Sequence, residues 1–172
     1  MMLLRVQDLL SRHQPLELAG SLDLTDLFRD SRDVLPLGPL AYRLVAQASN
    51  RTIHVTGELD VNMRLLCSRC LDPIDVHFAL PFEEQFRVMK PTDPPPDEDV
   101  DFVPVTEDQI ELDSLLEEEL VVSLPLAPLC SDACKGLCPT CGTNRNEQDC
   151  ACASDRIDPR LEALQHWFKP EE

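Results

Sequence analysis

The sequence predicts an α+β fold: an antiparallel β-sheet, built as a meander of long strands, with one or two packing helices and a small C-terminal Cys-rich segment. Three observations lead there. Between residues 52 and 65, Ile53, Val55, Leu59, Val61, Met63 and Leu65 alternate with Thr52, His54, Thr56, Glu58, Asp60, Asn62 and Arg64. A two-residue period puts each set on its own face of a half-buried strand. Near residue 115 the apolar residues change to helical spacing, and residues 130–152 hold six of the eight cysteines.

Taken in order, residues 1–12 read as a short strand or amphipathic turn. "PLELAGSLDLTDL" alternates weakly and adds a strand. In "LAYRLVAQA" Leu40, Tyr42, Leu44 and Ala46 share one side, and Ser49–Asn50 makes a tight turn into the long strand. Gly57 interrupts the apolar set and is read as a bulge. After "CSRCLDP" the alternation resumes with Ile74, Val76, Phe78, Leu80 and Phe82, then Phe86 and Val88. Three antiparallel strands follow. Residues 90–108 form an acidic loop, opening on "KPTDPPPDEDVD", which has no apolar surface to bury. The spacing predicts a helix over 113–124, with a capping box at Ser114 and Glu117 and with Leu115, Leu116, Leu120 and Leu124 on one face. Pro125 ends it. "DPRLEALQHWF" reads as a last helix that docks through Leu161, Leu164 and Phe168, with Trp167 as a docking residue. The expected division is a β domain over 1–128 and a Cys-rich segment plus helix over 129–172.

The chain has 172 residues, 43% of them hydrophobic, enough for a core of its own. No apolar run approaches the ~20 residues that span a bilayer. The opening "MMLLRVQDLL" meets Arg5 and Asp8 too soon for a signal peptide, so a cytoplasmic location is expected. The net charge of −17 is unevenly spread: residues 91–134 carry 13 acids and no Lys or Arg. Such a segment reads as a solvated linker and helix face kept soluble by charge, or as a field that steers a basic partner inward; it cannot neutralise the phosphates of nucleic acid.

Four thiolates converging at ~2.3 Å make a zinc site. "CPTCG", Cys138 to Gly142, has the spacing and trailing glycine of a zinc knuckle. Its completion is open on spacing alone: Cys130 and Cys134, or Cys150 and Cys152, or one from each pair. All the nearby ligands are cysteines, which suits a structural zinc with no open catalytic position. In a reducing compartment disulfides are not expected, and the spacings are not those of a ferredoxin cluster. "CSRC" at 67–70 also has knuckle spacing but no second pair of its own. It reads as a structural turn, a metal ligand pair reaching across to the Cys-rich segment or to a second chain, a partner contact, or a reactive dithiol beside Arg69. His13, His54, His77 and His166 are scattered, and no phosphate loop, nucleophile elbow or acid/base pair exists. No enzyme is expected.

The order "CSRCLDP", acidic loop, "DSLLEEELVVSLPLAPLC", "CKGLCPTCGTNRNE", "CAC" and "IDPRLEAL" resembles the YceD family, also called DUF177 or large ribosomal RNA subunit accumulation protein, over roughly residues 15–168. The resemblance implies a non-catalytic role in ribosome biogenesis. It also implies that Cys67 and Cys70 form an element separate from the zinc site. The ligand set it favours is Cys130, Cys134, Cys138 and Cys141, with Cys150 and Cys152 as alternates. Cys67, Arg69 and Cys70 are then partner-binding candidates. Two function classes follow. The first is a factor that binds a basic large-subunit ribosomal protein or a pre-ribosomal particle; direct rRNA contacts would fall to Arg64, Arg69, Arg87, Lys135 and Arg145. The second is a thiol redox enzyme or sensor using Cys67 and Cys70.

Overall fold

The computed structural model describes residues 3–11, 14–90, 92–94 and 101–152. Its main body is one sheet. Strands β2 (Leu16–Leu22), β4 (Leu40–Ser49), β5 (Thr52–Leu66) and β6 (Pro73–Val88) lie side by side and antiparallel, and β3 (Val34–Pro36) pairs with the far end of β5. β7 (Val103–Val105) joins the other edge, parallel to Phe86–Val88 of β6. A separate two-stranded ribbon pairs β1 (Leu3–Arg5) with β8 (Gln109–Glu111). The helices are α1 (Val6–Ser11) and α2 (Asp113–Ser123). The antiparallel meander with packing helices is therefore present.

β5 carries the core. Ile53, Val55, Leu59, Val61, Met63 and Leu65 are all buried, as their alternation requires. Leu116 and Leu120 of α2, Val6 and Leu9 of α1, and Phe82 and Phe86 of β6 belong to the same cluster. The β4–β5 turn brings Asn50 to φ 56, a left-handed value that Asn tolerates better than most side chains. β5 and β6 pair without a break from Thr52↔Arg87 to Leu66↔Pro73, so the longest hairpin has its tip at residues 67–72.

Several local expectations are corrected. Gly57 makes no bulge: it pairs with Leu44 and Phe82 in continuous register. A Cβ there would fall 2.0 Å from the Arg43 carbonyl oxygen, so the glycine serves a close backbone approach. The capping box at Ser114 and Glu117 does not form, because α2 already begins at Asp113 behind Leu112, whose φ and ψ are helical, with no side-chain cap. At the other end Leu124 is extended (ψ 136), as the residue before Pro125 prefers. The span expected as an acidic loop, 90–108, includes β7, and the last helix, with Leu161, Leu164, Trp167 and Phe168, lies outside the described residues. Among the described residues, no helix is long and apolar enough to cross a membrane.

Candidate metal centres

The eight cysteines form two groups of four. Cys67, Cys70, Cys130 and Cys134 have their sulfurs within 4.8 Å of one another, and so do Cys138, Cys141, Cys150 and Cys152. All eight are free thiols. The first group joins the tip of the β5–β6 hairpin to the chain that follows α2. The second closes a loop within residues 138–152.

Local bonds hold the first group together. The Ser68 amide and hydroxyl both donate to the Pro128 carbonyl, at 2.8 and 3.1 Å. That contact brings Cys130 over the hairpin tip, where its amide donates to Cys67 Sγ at 3.4 Å. Arg69 acts on both sides. Its carbonyl accepts from the Leu137 amide at 2.9 Å, and its Nη1 donates to the Cys134 carbonyl at 3.0 Å. Gly136, at φ 71, lies so close that a Cβ would sit 2.9 Å from the Arg69 carbonyl oxygen. The glycine of "CKGLC" is therefore required twice, for its dihedral and for its lack of a side chain.

The second group is a knuckle. The Cys138 amide donates to the Thr143 carbonyl and the Gly142 amide to the Cys138 carbonyl, both at 2.8 Å. Gly142 has the expected left-handed φ of 75. Asn144 Nδ2 donates to Asp72 at 3.1 Å, which seats this loop beside the first group at the base of β6.

Sulfur geometry fits a tetrahedral ion. Thiolates at about 2.3 Å from such an ion lie about 3.8 Å apart. Cys67 Sγ is 3.8 Å from Cys134 Sγ, and Cys70 Sγ is 3.6 Å from Cys130 Sγ. In each group two thiols are held acidic and two are not. Burial pushes Cys67 up, but amide donors from Cys130, Cys70 and Arg69 outweigh it and bring it down to about 6. The Asn146 side-chain amide lowers Cys134. Cys70 is raised: burial, Asp72 and the neighbouring thiols overcome the Asp72 amide, while Cys130 is raised chiefly by Cys134. In the second group the amides of Cys141 and Thr140 bring Cys138 down to about 6, and the Thr143 hydroxyl lowers Cys141. Cys150 is raised by Cys138 and by burial against the pull of the Cys152 amide, and Cys152 is pushed up to about 12 by Cys141 and burial. Four thiolates this close repel one another unless a cation lies between them. Both groups could hold a metal ion.

The expected ligand set is split. Cys130 and Cys134 lie in one group, Cys138 and Cys141 in the other, because the turn at Gly136 sends the chain away from the hairpin tip between the two pairs. Cys67 and Cys70 are not a separate element; they are half of the first group. Cys150 and Cys152 complete the second. The sequence did hold a signal for this. Once Cys138/Cys141 close with Cys150/Cys152, the pair left over at 130/134 needs two thiols, and "CSRC" is the remaining supply. Cys67 and Cys70 are buried, 0% and 3% exposed.

The family model described as large ribosomal RNA subunit accumulation protein YceD matches residues 55–166. The chain belongs to the YceD family. Protein YlbN of Bacillus subtilis is 26% identical over 163 residues, 92% of this chain and 91% of that one. Rv2926c of Mycobacterium tuberculosis is 26% identical over 128 residues, 74% of this chain and 61% of its own length. ML1660 of Mycobacterium leprae is 25% identical over 133 residues, 77% of this chain and 61% of its own. No solved structure matches.

Proposed function

We propose that this YceD family member is a non-catalytic, cytoplasmic ribosome-biogenesis factor that supports accumulation of the large-subunit ribosomal RNA. It does so by binding a basic ribosomal protein or a pre-ribosomal particle. One observation carries this reading. The family match spans residues 55–166, so it takes in the long hairpin and all eight cysteines. The stretch that matches a family described by rRNA accumulation thus contains both cysteine groups.

Zinc is the ion the groups suit. Four thiolates and no open position are the donor set of structural zinc, and ions such as magnesium prefer oxygen. Zinc in the first group would lock the hairpin tip to residues 128–134. Zinc in the second would fold a loop too short to hold itself.

Charge favours a protein partner over rRNA. The 13 acids of residues 91–134 are unrelieved by any Lys or Arg in that span. Three of the five cations that direct RNA contact would use are engaged within the chain. Arg64 bonds Asp75 through Nε and Nη2 at 2.6 and 2.8 Å, Arg69 holds the Cys134 carbonyl, and Arg87 lies 5.3 Å over the Phe102 ring.

Depletion of the protein in its own cells tests the reading. Large-subunit rRNA is expected to fall relative to small-subunit rRNA, with rescue by the wild-type chain and not by Cys67→Ser/Cys70→Ser. An unchanged rRNA ratio on depletion would refute it.

A further inference from the structure

We propose that the outer face of α2, continued by Leu126 and by the groove beside Glu84, docks a basic amphipathic segment of a protein partner. This deepens the function proposed above and rests on it.

The inner face of α2 is fully used: Leu116 and Leu120 are buried in the core. The last turn of the outer face is apolar as well. Val121 and Val122 are 46% and 76% exposed, and Leu126, just past the helix, is 105% exposed. Glu118 and Val122 lie one turn apart on the same stripe of the helix, which runs an acidic start into an apolar end. An amphipathic helix of a soluble domain normally turns one apolar face to the core and a polar one to water. Two apolar faces with one uncovered by the described residues mark a contact surface.

The acidic end extends onto the sheet. Glu83, Glu84, Gln85, Asp101, Phe102 and Val103 line an open groove of about 510 Å³, formed where β7 diverges from the edge of β6. Burial raises the Glu84 carboxyl, and the charges of Glu118 and Glu119 raise it further, so acids of α2 lie near one wall of the groove. No ion pair among the described residues involves Glu117, Glu118 or Glu119. The cation bordering the groove is Arg87, stacked over Phe102.

These features choose among occupants. RNA and an anionic lipid surface would meet carboxylates with their own negative charge. A second copy, related by a two-fold axis, would set this acidic patch against itself. A Lys- or Arg-bearing segment with an apolar stripe meets both halves of the surface, and its cations relieve the repulsion among Glu84, Glu118 and Glu119.

The test immobilises the full chain and measures retention of the proteins stripped by salt from purified large ribosomal subunits, each identified individually. Wild type is expected to retain one or more basic proteins of that set. Glu117→Gln/Glu118→Gln/Glu119→Gln should weaken retention at least ten-fold near 0.1 M salt and little near 1 M, where the Debye length has shrunk from about 10 Å to about 3 Å. Val122→Ser/Leu126→Ser should weaken it at both. Neither variant should alter melting by more than a few degrees, since the changed side chains lie away from the core. Equal retention by wild type and both variants overturns the surface, and so does a wild type that retains none of these proteins. A Val122→Ser/Leu126→Ser change that only converts a dimer to a monomer overturns it in favour of a second copy. None of these outcomes moves the rRNA ratio of depleted cells, which judges the underlying function separately.

Discussion

Leu71 has φ 64 at the position after Cys70, and Gly142 has φ 75 at the position after Cys141. The two knuckles thus share a backbone path, but one makes the left-handed turn with a leucine that is 56% exposed. A non-glycine residue there costs roughly 1–2 kcal/mol, against which glycine adds about 0.5–1 kcal/mol of unfolded-state entropy. Leu71→Gly is therefore expected to leave thermal melting unchanged or raise it slightly, whereas the β-branched Leu71→Val should lower it. A marked fall with glycine would show that the leucine side chain itself is held. Arg69→Ala removes a charged donor from the Cys134 carbonyl and should cost about 1–2 kcal/mol, a fall in melting temperature of several degrees for a chain of this size. Melting equal to wild type would mean that the cysteines hold the segment without Arg69. At this scale the sequence was legible where a residue type has one use. The glycine of "CPTCG" was such a case. Arg69 was not, because its partners at 132 and 134 are brought near only by the tertiary fold.

Among the elements, β5 was the most legible because its alternation runs from Thr52 to Leu65 with one break, at Gly57, and every apolar side chain of that set is buried. Helix α2 was legible in extent but not in its start, where Leu112 is buried and Ser114 is left inside the first turn. β7 was hidden because three residues give no period, and its parallel pairing is set by where the preceding loop returns the chain. The packing of α2 beside β6 makes a pH prediction. Glu84 has a folded-state pKa raised by burial and by Glu118 and Glu119, so its ionisation opposes folding. Its unfavourable contribution appears as pH rises from the ordinary Glu value (~4.3) through the raised one and is full above it. Glu84→Gln should stabilise the protein above that window, by well under ~1 kcal/mol after solvent screening, and should gain nothing below it, where wild type is protonated too. Denaturant melts at neutral and acidic pH decide this. A stabilisation that persists unchanged at low pH would assign the effect to packing instead of charge.

For the whole molecule, the segregation of charge into residues 91–134 and the crowding of thiols into 130–152 could be counted directly. The division of those thiols could not. Cys67 and Cys134 are 67 positions apart, and they meet only because β5 and β6 carry the hairpin tip to the place where the chain leaves α2. Two metal ions, not one, are expected to complete this fold, with the hairpin tip supplying half of one site. Native mass spectrometry of the full chain and two variants tests it most directly. Two zinc ions are expected in wild type, one in Cys67→Ser/Cys70→Ser, and one in Cys150→Ser/Cys152→Ser. A single zinc in wild type, or a Cys67→Ser/Cys70→Ser variant that keeps the wild-type count, would contradict it.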